Sequence, residues 1–267
     1  MINGEKVLVA RHSAFHAILL TENESGLRTL RFGSDGAFQS VLKVEYPRHL
    51  ELPYARVLPA CLAFIQNPVR MLIVGLGGGT LPRFFHSHCP QMTIDVVELD
   101  QDVLEVAKAH CGFEEDARMR VYVDDGRDFI EGSRGGYDII ILDTFDTDSI
   151  PTHLATLEFL SGVRNALAPE GIAVANVWGR ASNPLYAHML LTYRSAFEDV
   201  YIFDVPAPGT KIFAALPRRR AMTRDELIKQ AREISRRPGF DYGLSDAIAG
   251  FRNSDLETVR GGSVLRD

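Results

Sequence analysis

From residue 70 onward, largely apolar runs alternate with amphipathic stretches. The runs are Met71–Gly75 (MLIVG), Thr93–Leu99 (TIDVVEL), Met119–Val123 (MRVYV), Tyr137–Leu142 (YDIIIL) and Gly171–Trp178 (GIAVANVW). Helix-like stretches over Leu81–His88, Gln101–His110, Arg127–Glu131 and His153–Leu167 separate them. Apolar strands with helices between them predict a parallel sheet covered on both faces. Gly135-Gly136 and Ala168-Pro169-Glu170-Gly171 read as the turns that re-enter the last two runs. A helix near Pro184–Phe197 follows, then VYIFDV (200–205) and TKIFAAL (210–216). The few residues between this pair, Pro206, Pro208 and Gly209 among them, are too few for a crossover and predict a hairpin. The expected fold class is therefore α/β, a Rossmann-like doubly wound seven-stranded sheet ending in an antiparallel hairpin.

Before residue 50 the pattern is different. Val7–Ala10, Phe15–Leu20 and Leu27–Phe32 are short extended runs, broken at Asn23-Glu24-Ser25-Gly26 and Gly33-Ser34-Asp35-Gly36. They predict a small β-hairpin domain over residues 1–50. A helix from about Leu52 to Ile65, bounded by Pro53 and Asn67-Pro68, opens the larger domain, 51–217. The remainder, 218–267, carries a helix announced by Thr223 with Glu226 three residues on, a capping box. Beyond that helix, Gly- and Ser-rich sequence predicts a loose terminus.

At 267 residues, 46% hydrophobic and 24% charged, the composition excludes a disordered or low-complexity chain. A net charge of −6 gives no overall attraction for nucleic acid or an anionic membrane and tolerates a cationic substrate. The basic cluster Arg218-Arg219-Arg220 with Arg224 reads as a solvated helix entrance. Cys61, Cys89 and Cys111 form no C-x-x-C pair, so buried free thiols in a reducing compartment are expected. No apolar run approaches the ~18 residues of a membrane helix. The first residues, with Glu5 and no long apolar core, do not read as a signal peptide, and a cytoplasmic location is the expectation.

In an open doubly wound sheet, ligands bind beyond the carboxyl ends of the strands. Those ends carry Gly75-Leu76-Gly77-Gly78-Gly79-Thr80, then Glu98-Leu99-Asp100, then Asp124-Asp125-Gly126, then Asp143-Thr144-Phe145-Asp146-Thr147-Asp148. Glycines let backbone approach a ligand closely, and an acid about twenty residues further on can accept both hydrogen bonds of a ribose diol. Thr80 stands where the dinucleotide fingerprint needs a third small residue, so a compact nucleoside with a charged tail fits better. His86, His88 and Cys89 lie around one helix end without a second ligand pair, and no metal is expected. His153 reads as the start of a helix or, alternatively, as folding over the pocket with the Asp143 loop, and Trp178 as either core or substrate wall.

The segments VGLGGGTLPR, VVELD, DDGRDFI and YDIIILDTFD, in that order and spacing, resemble the nucleoside-binding core of class I S-adenosylmethionine-dependent transferases. Within that group the chain resembles the spermidine synthase (polyamine aminopropyltransferase) family and its looser relatives, over roughly residues 36 to 216. Phe38-Gln39-Ser40 resembles the family's glutamine segment and Glu51-Leu52-Pro53-Tyr54 its tyrosine segment. The resemblance implies decarboxylated S-adenosylmethionine or S-adenosylmethionine as co-substrate, a small cationic amine as acceptor, and a homodimer through the N-terminal β-segments. It implies that Gly75, Gly77 and Gly79 line the nucleoside's backbone cradle and that Glu98 holds the ribose. Asp125 and Gly126 would meet the adenine amino group, and Gln39 the sulfonium ligand's tail. Asp143 matches the catalytic aspartate, Asp146 the amine-binding aspartate, and Tyr54 the wall between the two substrates.

The chemistry of Asp143 also stands on its own. Transfer from a sulfonium is an in-line displacement by a neutral amine, yet an alkylamine is mostly protonated at pH 7 (lysine, as a guide, has a pKa of about 10.4). A carboxylate can hold the ammonium and accept its proton as attack proceeds. Three departures bear on the substrates. The family usually has Asp at position 77, His at 55 and an aromatic residue near 207, where this chain has Gly77, Ala55 and Ala207. An absent acid at 77 removes attraction for the decarboxylated donor's amine and repulsion against an intact α-carboxylate. Aminopropyl transfer to a polyamine is thus the first expectation. Methyl or aminocarboxypropyl transfer from the intact donor is an alternative, as is a silent nucleoside-binding protein.

Overall fold

The computed structural model describes residues 4–33, 38–144, 151–206, 209–220, 222–236, 240–259 and 261–267. Two sheets organise it. The first is an antiparallel meander of β1 (Lys6–His12), β2 (Ala17–Glu22), β3 (Arg28–Phe32) and β4 (Phe38–Leu42) in that order. Three of these strands answer to the three extended runs of the sequence. The fourth, β4, has no counterpart among those runs, and it carries Gln39 and Ser40.

The second sheet contains β5 (Arg70–Val74), β6 (Thr93–Glu98), β7 (Met119–Val123), β8 (Tyr137–Leu142), β9 (Leu167–Trp178), β10 (Asp199–Asp204), β11 (Thr210–Leu216) and β12 (Arg252–Asn253). Their spatial order is β12-β10-β11-β9-β8-β5-β6-β7. Strands β5 to β9 pair in parallel, and β9–β11, β11–β10 and β10–β12 are antiparallel. The expected seven strands thus become eight, because two residues of the tail add an edge to β10. The turn expected at 168–171 lies within β9, where the β8–β9 register shifts between Tyr137 and Ile139.

Alternation along β5 shows why the sheet is covered twice. Met71 and Ile73 face one layer with Leu58, Leu62 and Phe84; Leu72 and Val74 face the other with Phe159, Leu160 and Leu190. The first layer comprises α1 (Pro53–Val57), a 3₁₀ turn (Leu58–Ala63), α2 (Thr80–His88) and two tail helices. The other faces α5 (Leu157–Ala166) and α6 (Tyr186–Ala196). The single helix expected from Leu52 to Ile65 divides into α1 and that turn, since Pro59 has no N–H to continue an α-helical ladder. Between the sheets lies α3 (Gln101–His110): its Val103 and Val106 pack under Ile18, Leu20, Leu30 and Leu42 of the meander.

The tail is ordered by tertiary contact. In α7 (Arg224–Ser235) the Thr223–Glu226 capping box forms as read, and α8 (Leu244–Ala249) follows. The segment 261–267 is not loose; it runs across α5 and α6. Arg220 is not solvated either, since its guanidinium donates to the Phe64 carbonyl at 3.3 Å and its amide to Asp199 at 2.7 Å. Cys61, Cys89 and Cys111 are all buried. Among the described residues no helix is long and apolar enough to cross a membrane.

Candidate active site

The sheet's direction of winding reverses between β5 and β8, and a crevice opens there beyond their carboxyl ends. At the end of β5 the chain turns at Gly75, with φ of +102°. A Cβ there would stand 2.3 Å from the carbonyl oxygen of Asp143, at the end of β8, so only glycine lets the two strand ends converge. Gly77, at φ +53°, faces the meander: a Cβ on it would meet the Ser40 hydroxyl at 2.8 Å. That hydroxyl accepts the Gly78 amide at 2.8 Å, so a serine from β4 closes the turn that in this chain carries no acid. Gly79 is the N-cap of α2.

Glu98, at the end of β6, is buried beside this turn. Its Oε2 accepts the Leu76 amide at 2.9 Å and its Oε1 the Asp100 amide at 3.0 Å. Burial raises its pKa against the pull of these backbone hydrogen bonds. The residue expected to hold a ribose thus also shapes the cradle, and it lines the cavity.

Beyond β7, Asp125 caps α4 (Gly126–Gly132): its Oδ1 accepts the Arg127 amide at 2.8 Å. Its Oδ2 meets His153 Nε2 at 2.9 Å. Burial pulls the Asp125 pKa upward, but the His153 hydrogen bond and the Arg127 amide hold it below the usual carboxylate range. His153 does not open α5. It sits in a 3₁₀ turn (Thr152–Leu154), and Thr156 caps α5 by accepting the Phe159 amide at 3.3 Å. His86 pairs with Asp116 at 3.0 Å, and His88 packs between Phe84 and Phe240, so among the described residues the two helix-end histidines take separate partners.

At the floor of the crevice, Asp143 accepts two side-chain hydrogen bonds. Tyr54 Oη donates to Oδ2 at 3.2 Å and Asn176 Nδ2 to Oδ1 at 3.1 Å. Burial pushes the carboxyl up to about 6, with the Asn176 and Tyr54 hydrogen bonds restraining the rise. Burial, reinforced by Asp143, pushes the Tyr54 phenol well above its usual value, so it stays protonated and donates. Asn176 was missed in the sequence, although an amide inside the apolar run GIAVANVW was a visible signal. It is 4% exposed, and its Oδ1 has no hydrogen-bond partner among the described residues. Asp146, Asp148 and Ala207 lie outside the described residues.

These groups share one cavity of about 320 Å³, within the size range of small-molecule sites. It collects Gln39, Tyr54, Gly75, Gly77, Glu98, Asp125, Gly126 and Asp143, while Gly79 stands just outside at the helix start. Trp178 and Thr210 line it next to Asn176, so Trp178 borders the cavity. The meander contributes Phe15, His16, Phe32 and Phe38, with His16 stacked on Phe32 at 4.0 Å between ring centres. Sequence reading missed this aromatic side, because nothing in a short extended run shows which distant strand end it will face.

A crevice beyond the strand ends of a Rossmann-like sheet, with a buried carboxylate at its floor, is the candidate site, and comparison with known proteins gives the family. The spermine/spermidine synthase domain matches residues 56–207. A polyamine aminopropyltransferase of Vibrio vulnificus (strain CMCP6) is 31% identical over 231 residues, covering 82% of this chain and 76% of that protein. The human eEF1A lysine and N-terminal methyltransferase is 32% identical over 220 residues, 72% of this chain, which spans only 31% of that longer protein. The crystal structure of human methyltransferase-like protein 13 in complex with SAH superposes with a TM-score of 0.65 at 29% identity, covering 73% of this chain and 99% of that one. The chain belongs to the spermine/spermidine synthase family.

Proposed function

We propose that this protein is an alkyltransferase that moves a carbon group from an S-adenosyl sulfonium to an amine, with aminopropyl transfer to a polyamine as its reaction. The observation that carries this is Asp143, a carboxylate at the crevice floor whose pKa of about 6 leaves it ionised at neutral pH yet basic enough to take a proton. The nucleoside lies along the cradle, its ribose at Glu98 and its adenine edge at Asp125 and Gly126. Its sulfonium arm passes Gln39 and Gly77 toward Asp143. The acceptor's ammonium is held by Asp143 and by the unpaired Asn176 Oδ1, with Tyr54 bounding the space between the substrates; the family resemblance assigns acceptor binding to Asp146 as well. The amine nitrogen attacks the carbon next to sulfur, the C–S bond breaks toward sulfur, and the thioether leaves. The ammonium gives one proton to Asp143 as this attack begins, which frees the lone pair that forms the new C–N bond. The polyamine aminopropyltransferase relative supports this reading.

A second reading, methyl transfer from intact S-adenosylmethionine, rests on a specific observation. Gly77 packs against Ser40 and brings no side-chain acid to the donor's tail; the cavity carboxylate that reaches it, Glu98, meets its backbone amide and that of Leu76. The methyltransferase relative and the SAH-bound neighbour support this alternative. Incubation with each donor and a polyamine mixture separates the two. Methylthioadenosine with a lengthened polyamine marks aminopropyl transfer, and S-adenosylhomocysteine marks methyl transfer. Binding of neither nucleoside, measured by calorimetry, overturns both.

A further inference from the structure

The segment Ser263–Asp267 lies far from the reacting groups in sequence, yet it is tied to the rim of the nucleoside crevice. The Ser263 amide donates to His188 Nδ1 at 3.0 Å and the Leu265 amide to Thr192 Oγ1 at 2.9 Å, both on α6. The Leu265 carbonyl accepts the Leu157 amide at 2.8 Å, supplying a partner for one of the orphan donors of the first turn of α5. Arg266 pairs with Glu158 at 3.2 Å, and the Asp267 amide donates to Glu158 at 3.2 Å. Asp267 then reaches the neighbouring helix. Arg127 NH1 donates to its Oδ1 at 2.8 Å and NH2 to its Oδ2, a two-pronged pairing.

Arg127 is the residue whose amide is capped by Asp125, and its Nε also pairs with Glu131 at 2.9 Å. Five residues therefore join the first turn of α5 to the first turn of α4. Asp125 stands at the head of α4. His153, which closes on Asp125, stands on the turn that leads into α5.

We propose that Ser263–Asp267 is a positioning element of the nucleoside pocket. Through the Asp267–Arg127 pair and the Leu265–Leu157 hydrogen bond it fixes the spacing of α4 and α5, and so keeps His153 against Asp125 across the adenine end. This rests on the placement of adenine at Asp125 under Proposed function. Arg127 and Asp267 act through Asp125 and touch no substrate. An isolated exposed ion pair contributes little to global stability. Its effect here is local: when the rim is closed for a smaller fraction of the time, apparent affinity falls by that fraction.

The test uses the full chain, Asp267→Asn, Asp267→Glu, and a chain shortened after Gly262. Calorimetry with methylthioadenosine and S-adenosylhomocysteine reads affinity, and amide hydrogen exchange without ligand reads the rim directly. Asp267→Asn is expected to weaken nucleoside binding three- to tenfold and the shortened chain at least tenfold. Asp267→Glu should return it to within twofold. Donor KM should rise in parallel while kcat and acceptor KM hold. Exchange should quicken at Arg127, His153 and Leu154. Nucleoside binding by the full chain that stays within twofold after shortening overturns the proposal. If the full chain binds neither nucleoside, the functional reading fails by itself, and unchanged exchange at Arg127 and His153 on shortening then overturns the positioning role separately. Should the shortened chain not fold, Asp267→Asn with Asp267→Glu as its rescue decides.

Discussion

At Asp143 burial and hydrogen bonding oppose one another, and burial wins. The folded carboxyl sits at about 6 against an ordinary 3.8. Between those values the folded chain binds the proton more tightly than the unfolded chain, so stability from this group is present at low pH and lost as pH rises through the window. Asp143→Asn removes that cost. Denaturant unfolding at pH 8 should show the variant more stable by about 1–3 kcal/mol, at roughly 1.4 kcal/mol for each tenfold difference in proton affinity, with the gap closing near pH 4. Its turnover should fall by about 10²–10⁴-fold with nucleoside affinity little changed, the range of general-base contributions. In the intact enzyme the acid limb of the rate profile should have its midpoint near pH 6; a profile flat from pH 5 to 8 removes Asp143 from the base role. Glu98→Ala should weaken nucleoside binding by about 1.5–3 kcal/mol in calorimetry, as ribose hydroxyls lose a charged acceptor.

Between elements, two glycines set the geometry, and they respond differently to substitution. The obstacle at Gly75 is the backbone carbonyl of Asp143, 2.3 Å from a Cβ, and φ is +102°. Gly75→Ala should therefore cost at least about 2 kcal/mol in thermal unfolding and also depress turnover by pushing β5 and β8 apart. At Gly77 the obstacle is only the Ser40 hydroxyl, and aspartate tolerates the left-handed region better than most residues. Gly77→Asp combined with Ser40→Ala should thus fold and restore an acid beside the donor's tail. Two unit charges about 4 Å apart interact by about 4 kcal/mol at an effective dielectric near 20. With solvent in the crevice cutting that to about 1–2 kcal/mol, preference for the decarboxylated donor should rise roughly five- to thirtyfold. Competition binding of both donors to both proteins measures it. A hundredfold preference already present in the parent protein would place the missing acid elsewhere.

Across the whole molecule, the crevice joins the two sheets. The Ser13 hydroxyl donates to Asp100, Arg28 reaches the His110 carbonyl, and β4 supplies Gln39 and Ser40. A nucleoside bound there should therefore stabilise both layers together. Methylthioadenosine at 100 times its dissociation constant should add about 2.7 kcal/mol, raising the midpoint of one shared thermal transition by roughly 5–10 °C. Two separate transitions, with only one responding to ligand, would show that the meander does not belong to the binding unit. The alternating apolar runs by themselves determined the parallel sheet and its terminal hairpin, because strand and helix periodicity is local. The Gly-rich turn, Glu98, Asp125 and Asp143 were legible for the same reason: a strand's carboxyl end can be read from the run that precedes it. Asn176 on Asp143, His153 on Asp125, Ser40 under Gly77, the aromatic wall of the meander and the Asp267 strap were decided only by tertiary structure. Each is a contact between segments far apart in sequence, and such a contact leaves no periodicity in either segment. Even β12, two residues long, exists only because β10 offered it an unpaired edge.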